Sequence, residues 1–317
     1  MKTLLIVSGG DAPGINTALY HFTHLSEQSG DQVLGAVGGL AGAVDGHLID
    51  LHTDMLAPVM GLGGTYLPSS REPVLKDPMN REKLIQTISH QRIDNIVLFG
   101  GDGSLRNIPP VLAELGLTCI GVPTTIDNDV PGTDETIGFD SACNVAHTVI
   151  DGLLATARAL PGRIFSVETL GGSTGFLALD IAHAAGAHAV LIPEFEYDES
   201  WLADRLKWAV RENKLALLVL SEGVPASRSL VDDMQQGHNL RIRDTRLGHG
   251  QRGTVPSHRD RWLALAMVKA AYAGLRDGVK SGMVAMQNGQ ITLCNGMSAD
   301  FPARQPDRSV YNQINGL

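Results

Sequence analysis

The chain has 317 residues, 43% hydrophobic and 19% charged, which is enough to bury a large core or two lobes and excludes broad disorder. A net charge of −9, with no block of lysine or arginine, argues against nucleic acid or an anionic membrane surface as the main partner. Cys119, Cys143 and Cys294 stand apart without metal-ligand spacing, so reduced thiols in a cytoplasmic protein are expected.

In chain order, Leu4–Val7 is an apolar run too short for a secretory signal and is stopped by Gly9-Gly10-Asp11, so it reads as the first strand. A helix is predicted from Ile15 to about Gln28, then a strand over Val33–Val37 and a helix over Arg81–His90. Ile96–Phe99 and Cys119–Val122 are apolar strand runs, with a helix expected over Asn107–Leu115, where Pro109-Pro110 lie near its start. A long helix over residues 139–160 precedes strands at Arg163–Glu168, Ala189–Ile192, Leu215–Ser221 and Met283–Gln287. Helices fall between these strands near Gly175–Ala185, Glu199–Glu212 and Trp262–Leu275. No stretch approaches the roughly 18 consecutive apolar residues of a membrane helix.

This strand–helix alternation predicts an α/β fold of two Rossmann-like lobes, with mainly parallel sheets flanked by helices. The lobe boundary fits near residues 137–140, and the chain is expected to return to the first lobe after Gly250. The first lobe would then comprise residues 1–138 and about 251–300, and the second 139–250 with the C-terminal tail.

Two acidic loops directly follow strands: Gly100-Gly101-Asp102-Gly103-Ser104 and Thr124-Thr125-Ile126-Asp127-Asn128-Asp129. In an open α/β sheet such loops border the ligand crevice at the carboxyl ends of the strands. Among its glycines, Asp102 can hold Mg²⁺ while backbone amides bind phosphate, or it can simply cap the following helix. Asp127 and Asp129 lie on one side if their loop is extended, placing a base and an orienting acid together. A local turn closed by Thr, Asp and Asn side chains is the alternative.

Ser8–Asn16 reads equally as an anion-binding loop and as a structural turn. It is not a Gly-x-Gly-x-x-Gly dinucleotide loop, and no Gly-Lys pair completes a Walker A loop. A third cluster, Arg243-Asp244-Thr245-Arg246-Leu247-Gly248-His249-Gly250-Gln251-Arg252-Gly253, offers guanidinium forks for phosphate or forms a solvated charged loop. Phosphoryl transfer is the chemistry these loops fit best.

Gly-Gly-Asp-Ala-Pro-Gly at 9–14, Gly-Gly-Asp-Gly-Ser at 100–104, Thr-Ile-Asp-Asn-Asp at 125–129 and Gly-His-x-Gln-Arg-Gly at 248–253 together resemble the phosphofructokinase family of the bacterial type. The resemblance runs from Leu4 to about Gln287. It implies two α/β lobes and transfer of a phosphoryl group from Mg-ATP, or pyrophosphate, to the 1-hydroxyl of fructose 6-phosphate. It implies that Asp127 is the base, with Thr125 and Asp129 beside it, Asp102 at Mg²⁺, and Gly10, Gly101, Gly103 and Ser104 on the donor phosphates. Arg71 would face the transferring phosphate, where losing such a charge typically costs about 10³-fold in rate. Arg163, Arg243, His249 and Arg252 would clamp the sugar's phosphate, and Glu222 would contact a sugar hydroxyl. Family members donate residues matching Arg163 and Arg243 across a subunit interface, which implies a homo-oligomer, usually a tetramer.

The chain departs from the family at two places. The family's Met-Gly-Arg stands here as Leu170-Gly171-Gly172, without the arginine at 172, and Glu72 replaces an aromatic residue beside the adenine. Pyrophosphate users tend to carry aspartate at the Gly103 position and lysine at the Thr124 position. Neither is present, which favours ATP. The alternatives are pyrophosphate as donor, another sugar acceptor, or a non-catalytic sugar-phosphate sensor. A nucleotide-binding oxidoreductase shares only the fold class. The first helix carries no arginine or lysine over Ala18–His24, which implies weak control by ADP or phosphoenolpyruvate.

Overall fold

The computed structural model describes residues 1–71, 73–159 and 161–317. Glu72, expected beside the nucleotide, and Leu160 lie outside the described residues. Strands run in the order β1 (Lys2–Ser8), β2 (Gln32–Ala36), β3 (Leu48–Asp50), β4 (Asn95–Gly100), β5 (Cys119–Thr125), β6 (Ile137–Gly138), β7 (Arg163–Thr169), β8 (Ala189–Leu191), β9 (Leu215–Ser221), β10 (Ile242–Arg246), β11 (Ser281–Gln287) and β12 (Gln290–Cys294). They make an eight-stranded sheet, β12-β11-β5-β4-β1-β2-β3 with β6 on β5, and a four-stranded sheet, β10-β7-β9-β8. Pairing is parallel except for β3 on β2 and β12 on β11. The expected α/β class is what the structure shows.

The chain divides into two compact units. The first comprises Met1–Ser141 and Arg252–Arg304 and contains the larger sheet; the second comprises Ala142–Gln251 and Gln305–Leu317 and contains the smaller. In the first unit, Leu4, Leu5, Ile6 and Val7 of β1 are all fully buried, the unbroken apolar run of a strand covered on both faces. One cover is the helix Ile15–Gln28, whose buried Ile15, Ala18, Leu19 and Phe22 fall at helical spacing. It packs against the helix His258–Arg276, where Phe22 and Tyr272 meet edge to face at 5.8 Å between ring centres.

The register of the three central strands positions the site. Ser8 pairs with Gly100, and Gly100 with Pro123, so β1, β4 and β5 reach their carboxyl ends at nearly the same level. After β4 the chain enters a helix at Asp102 and keeps it to Glu114, beginning five residues before the expected Asn107. The early start follows from Leu105, Pro109 and Leu112, whose i, i+4, i+7 spacing buries one face. Pro109-Pro110 therefore sit inside the helix, removing two of its internal N–H donors.

Asp260 holds the first unit's chain together where that chain leaves for the second. It is 1% exposed and accepts hydrogen bonds from the backbone N–H groups of Gly138 and Ser141, both at 2.8 Å, and from the Ser141 hydroxyl. Burial pushes its carboxyl up to about 6, against the pull of those donors. Replacing Asp260 with Ala strands two buried N–H groups at roughly 1–3 kcal/mol each. The Asp260→Ala protein is expected to melt several degrees lower by calorimetry, and an unchanged midpoint would contradict this account.

Candidate active site

The loops after β1, β4 and β5 converge in the first unit. Gly10 lies beneath two guanidinium groups: a Cβ there would sit 2.6 Å from Arg252 Nη1 and 3.0 Å from Arg71 Nη2. Only glycine leaves room for both cations against this backbone. Arg252 also donates to the Asp11 carbonyl at 3.3 Å, and its Nη2 stands 3.9 Å from Asp127 Oδ1. Gly101 faces Thr125, with a Cβ position 3.3 Å from Thr125 Cβ. Ser104 joins the first and second loops through its hydroxyl on Ser8 Oγ at 3.1 Å. The structure thus brings Gly10, Arg71, Gly101, Ser104, Thr125, Asp127 and Arg252 into one neighbourhood.

The turn carrying Asp127 and Asp129 is not extended, which corrects the expectation that alternation puts both on one side. Asn128 takes a left-handed backbone, φ 52°, and the Asp127 N–H donates to Thr125 Oγ1 at 3.1 Å. The local turn foreseen as the alternative is present, and the two acids remain close enough to interact by charge. Burial, then Asp127, then Asp102 raise the Asp129 carboxyl to about 6. One Asp129 oxygen is buried without a hydrogen-bond partner.

Asp102 is not the cap of its helix; Gly101 holds that position, and Asp102 is the first helical residue. Its carboxylate receives Arg106 in a two-bond fork, at 3.1 and 3.2 Å, and the Ser298 hydroxyl. Among the described residues, no three acid, cysteine or histidine side chains form a ready metal cage. Arg106 was missed by sequence reasoning, although its i+4 spacing from Asp102 was the available signal.

Beside these loops is a cavity of about 570 Å³. Ser8, Gly9, Gly103 and Ser104 form the side made by the loops after β1 and β4, and Leu40, Leu75, Ile108 and Val111 give it an apolar wall. Arg71, Lys76 and Arg81 border it with positive charge. Nothing lies within 4 Å of a Cβ built on Gly103, so that backbone faces open space. Lys76 and Arg81 lie outside every recognisable motif and could not have been singled out from the sequence.

The second unit holds another group of expected residues, but at two ends of its sheet. Leu170-Gly171-Gly172 and Glu222 follow the carboxyl ends of β7 and β9, and the Gly172 N–H donates to Glu222 Oε1 at 3.0 Å. Gly171 (φ 139°) and Gly172 (φ 60°) both use backbone conformations that favour glycine. Buried Gln251 supports this loop from the Leu170 N–H at 2.8 Å, next to exposed His249. Arg163, by contrast, opens β7, and Arg243 pairs with Phe165 on β10. Alternation puts Arg163 and Arg243 on one face, roughly 26 Å and 20 Å respectively from the level of Gly171 at about 3.3 Å per residue. One copy of this unit does not gather them at a single point.

The family model described as Phosphofructokinase matches residues 2–275 of this sequence. The chain belongs to the phosphofructokinase family. The ATP-dependent 6-phosphofructokinase of Bacillus cytotoxicus is 38% identical over 288 residues, covering 90% of each chain. The enzyme of the same name from Aquifex aeolicus is 36% identical over 319 residues, 98% of each chain. Among solved phosphofructokinases, that of Saccharomyces cerevisiae superposes with a TM-score of 0.81 at 27% identity. That match covers 92% of this chain but 44% of the yeast polypeptide, so the chain spans less than half of that relative's length. A pyrophosphate-dependent phosphofructokinase from Nitrosospira multiformis shares the fold, with a TM-score of 0.86 at 21% identity. Its match covers 97% of this chain and 86% of that one.

The raised Asp129 carboxyl has a stability consequence within the phosphofructokinase fold. Its folded value of about 6 exceeds the ordinary 3.8, so the folded state holds the proton more tightly. Its stabilising contribution is full below about pH 4 and is lost as pH rises through 6. Asp129→Asn is therefore expected to raise stability at pH 7.5 by on the order of 1–2 kcal/mol, read as a higher melting temperature. At pH 4 the gain should largely disappear; a gain independent of pH would refute the assignment.

Proposed function

We propose that this chain transfers the terminal phosphoryl group of ATP to the 1-hydroxyl of fructose 6-phosphate, giving fructose 1,6-bisphosphate. The observation that carries the choice of ATP is the roomy cavity beside the phosphate loops, with its apolar wall and bordering cations. Pyrophosphate has no apolar part to use that wall, whereas a nucleoside does. On this reading the first unit is the donor lobe and the second receives the sugar phosphate.

Asp127 takes the proton of the attacking hydroxyl, while Thr125 and Asp129 fix its turn. Arg71, over the backbone of Gly10, neutralises the transferring group, and Arg252, expected on the sugar's phosphate, stands beside it there. The crowding of Asp127 and Asp102 about Asp129 suits a cation. Asp102 would hold Mg²⁺, which usually keeps several waters and needs few protein ligands, and bound there it would supply charge neutralisation. Arg106 would have to yield part of its fork on Asp102.

Leu170, Gly171, Gly172, Glu222 and His249 line the acceptor side. Arg163 and Arg243, at the opposite end of the small sheet, serve the acceptor of a neighbouring copy. A homo-oligomer would supply that neighbour, a tetramer by the family resemblance although a dimer would also share sites, and a cytoplasmic setting suits cysteines that form no disulfide.

A coupled assay with fructose 6-phosphate, Mg²⁺ and either donor tests the reading: turnover with ATP is expected to exceed that with pyrophosphate by at least tenfold. Asp127→Ser should lower kcat by several orders of magnitude and leave sugar-phosphate binding measurable. Near-normal turnover would remove Asp127 from its role. Mixing Asp127→Ser with Arg243→Ser subunits, each impaired alone, should restore part of the activity, because some sites then regain both residues. Absence of any recovery would count against sharing between copies.

A further inference from the structure

The stretch from Ser298 to Arg304, in which the sequence offers no motif, touches both acidic loops of the first unit. The Ser298 hydroxyl donates to Asp102 Oδ1. The ring of Phe301 covers Gly132, where a Cβ would lie 2.6 Å from the nearest ring carbon. Arg304 Nη1 donates to the carbonyl of Asn128 at 2.5 Å.

We propose that this stretch is a positioning strap for the three aspartates, with Arg304 as its principal residue, acting through the peptide that joins Asn128 to Asp129. The inference rests on reading those acids as the phosphotransfer machinery. The Asn128 carbonyl is coplanar with the Asp129 N–H, so holding the oxygen fixes the plane from which the Asp129 side chain departs. Asparagine tolerates the left-handed conformation, and which conformation it keeps is set by what ties its two ends. Here the Asn128 side chain donates to the Asp134 carbonyl at 3.2 Å and accepts from the Thr136 hydroxyl at 3.3 Å. Arg304 secures the remaining carbonyl, so both ends of the residue are tied.

Charge supports the same assignment. Arg304 is half-buried, and desolvation lowers its pKa while Asp134 and Asp129 raise it. It is a positive charge acting on Asp129, which otherwise faces the charges of Asp127 and Asp102. The strap thus places a fixed cation behind the turn, on a residue that bonds to its backbone. Ser298 does the equivalent for the second loop by restraining the Asp102 carboxylate.

The test compares Arg304→Met, Arg304→Lys and Ser298→Ala with the wild-type chain. Arg304→Met is expected to lower kcat at least tenfold while the KM values for fructose 6-phosphate and ATP stay within about twofold. Arg304→Lys, which can still reach the carbonyl with one donor, should recover at least a third of wild-type kcat. Ser298→Ala should give a smaller fall, about twofold to fivefold, again in kcat. Independently of turnover, hydrogen–deuterium exchange across residues 126–134 should quicken at least fivefold in Arg304→Met and return toward wild type in Arg304→Lys.

Unchanged kcat and unchanged exchange in Arg304→Met would overturn the proposal. So would losses in kcat and KM together that Arg304→Lys does not relieve. If Arg304→Met does not fold, Arg304→Lys at under a tenth of wild-type kcat with wild-type exchange over 126–134 would also overturn it. Should the wild-type chain transfer nothing from ATP or pyrophosphate, the functional reading fails, while the exchange measurement still decides the strap.

Discussion

The level register of β1, β4 and β5 is the constraint on which the site depends. Because Ser8, Gly100 and Pro123 stand side by side, the loops that follow them open into the same crevice. A shift of two residues in any one strand would move its loop by about 7 Å, more than the reach of a hydrogen bond. The buried apolar runs of these strands are thus more than a core. They are the ruler that sets the distance between the glycine-rich backbone at Gly10 and the carboxylate of Asp127.

That ruler produces an electrostatic problem with a chemical use. Three aspartates and several arginines share one small volume, and burial makes each unpaired charge costly. The first unit answers with local partners: Arg106 and Ser298 on Asp102, Arg252 near Asp127, and Arg304 behind Asn128. Burial and its acidic neighbours disfavour ionisation of Asp129. On the proposed function, a cationic guest and a hydroxyl donor would relieve the same imbalance.

Much of this was legible in the sequence because it was local. The strand Leu215–Ser221 and the helix Ile15–Gln28 carry clear periodicity and have the bounds expected of them. The α/β class followed from the alternation of strands and helices, and the phosphofructokinase family from motifs placed at strand ends. What stayed hidden was non-periodic or distant along the chain. β10 buries only Ile242 and shows no alternation to read, and the helix Ser227–His238 is largely polar. The helix at Asp102 was expected too late because Pro109-Pro110 look like a beginning, whereas the buried face starts at Leu105. The turn at Asn128 was legible only as one of two readings, because asparagine tolerates the left-handed region but nothing local chose it over an extended loop. Arg304 lies 176 positions from its partner, beyond any local rule.

The proline pair in the helix Asp102–Glu114 carries a mechanical meaning. With no N–H at positions 109 and 110, the carbonyls of Leu105 and Arg106 lose their usual donors one turn later. The first two turns, which bear Gly103, Ser104 and Arg106, are coupled to the rest of the helix less stiffly than an unbroken ladder would make them. The first turn is nonetheless held, by Ser104 on Ser8, Ser298 on Asp102 and the fully buried Leu105, so the slack left by the prolines falls between Leu105 and Leu112.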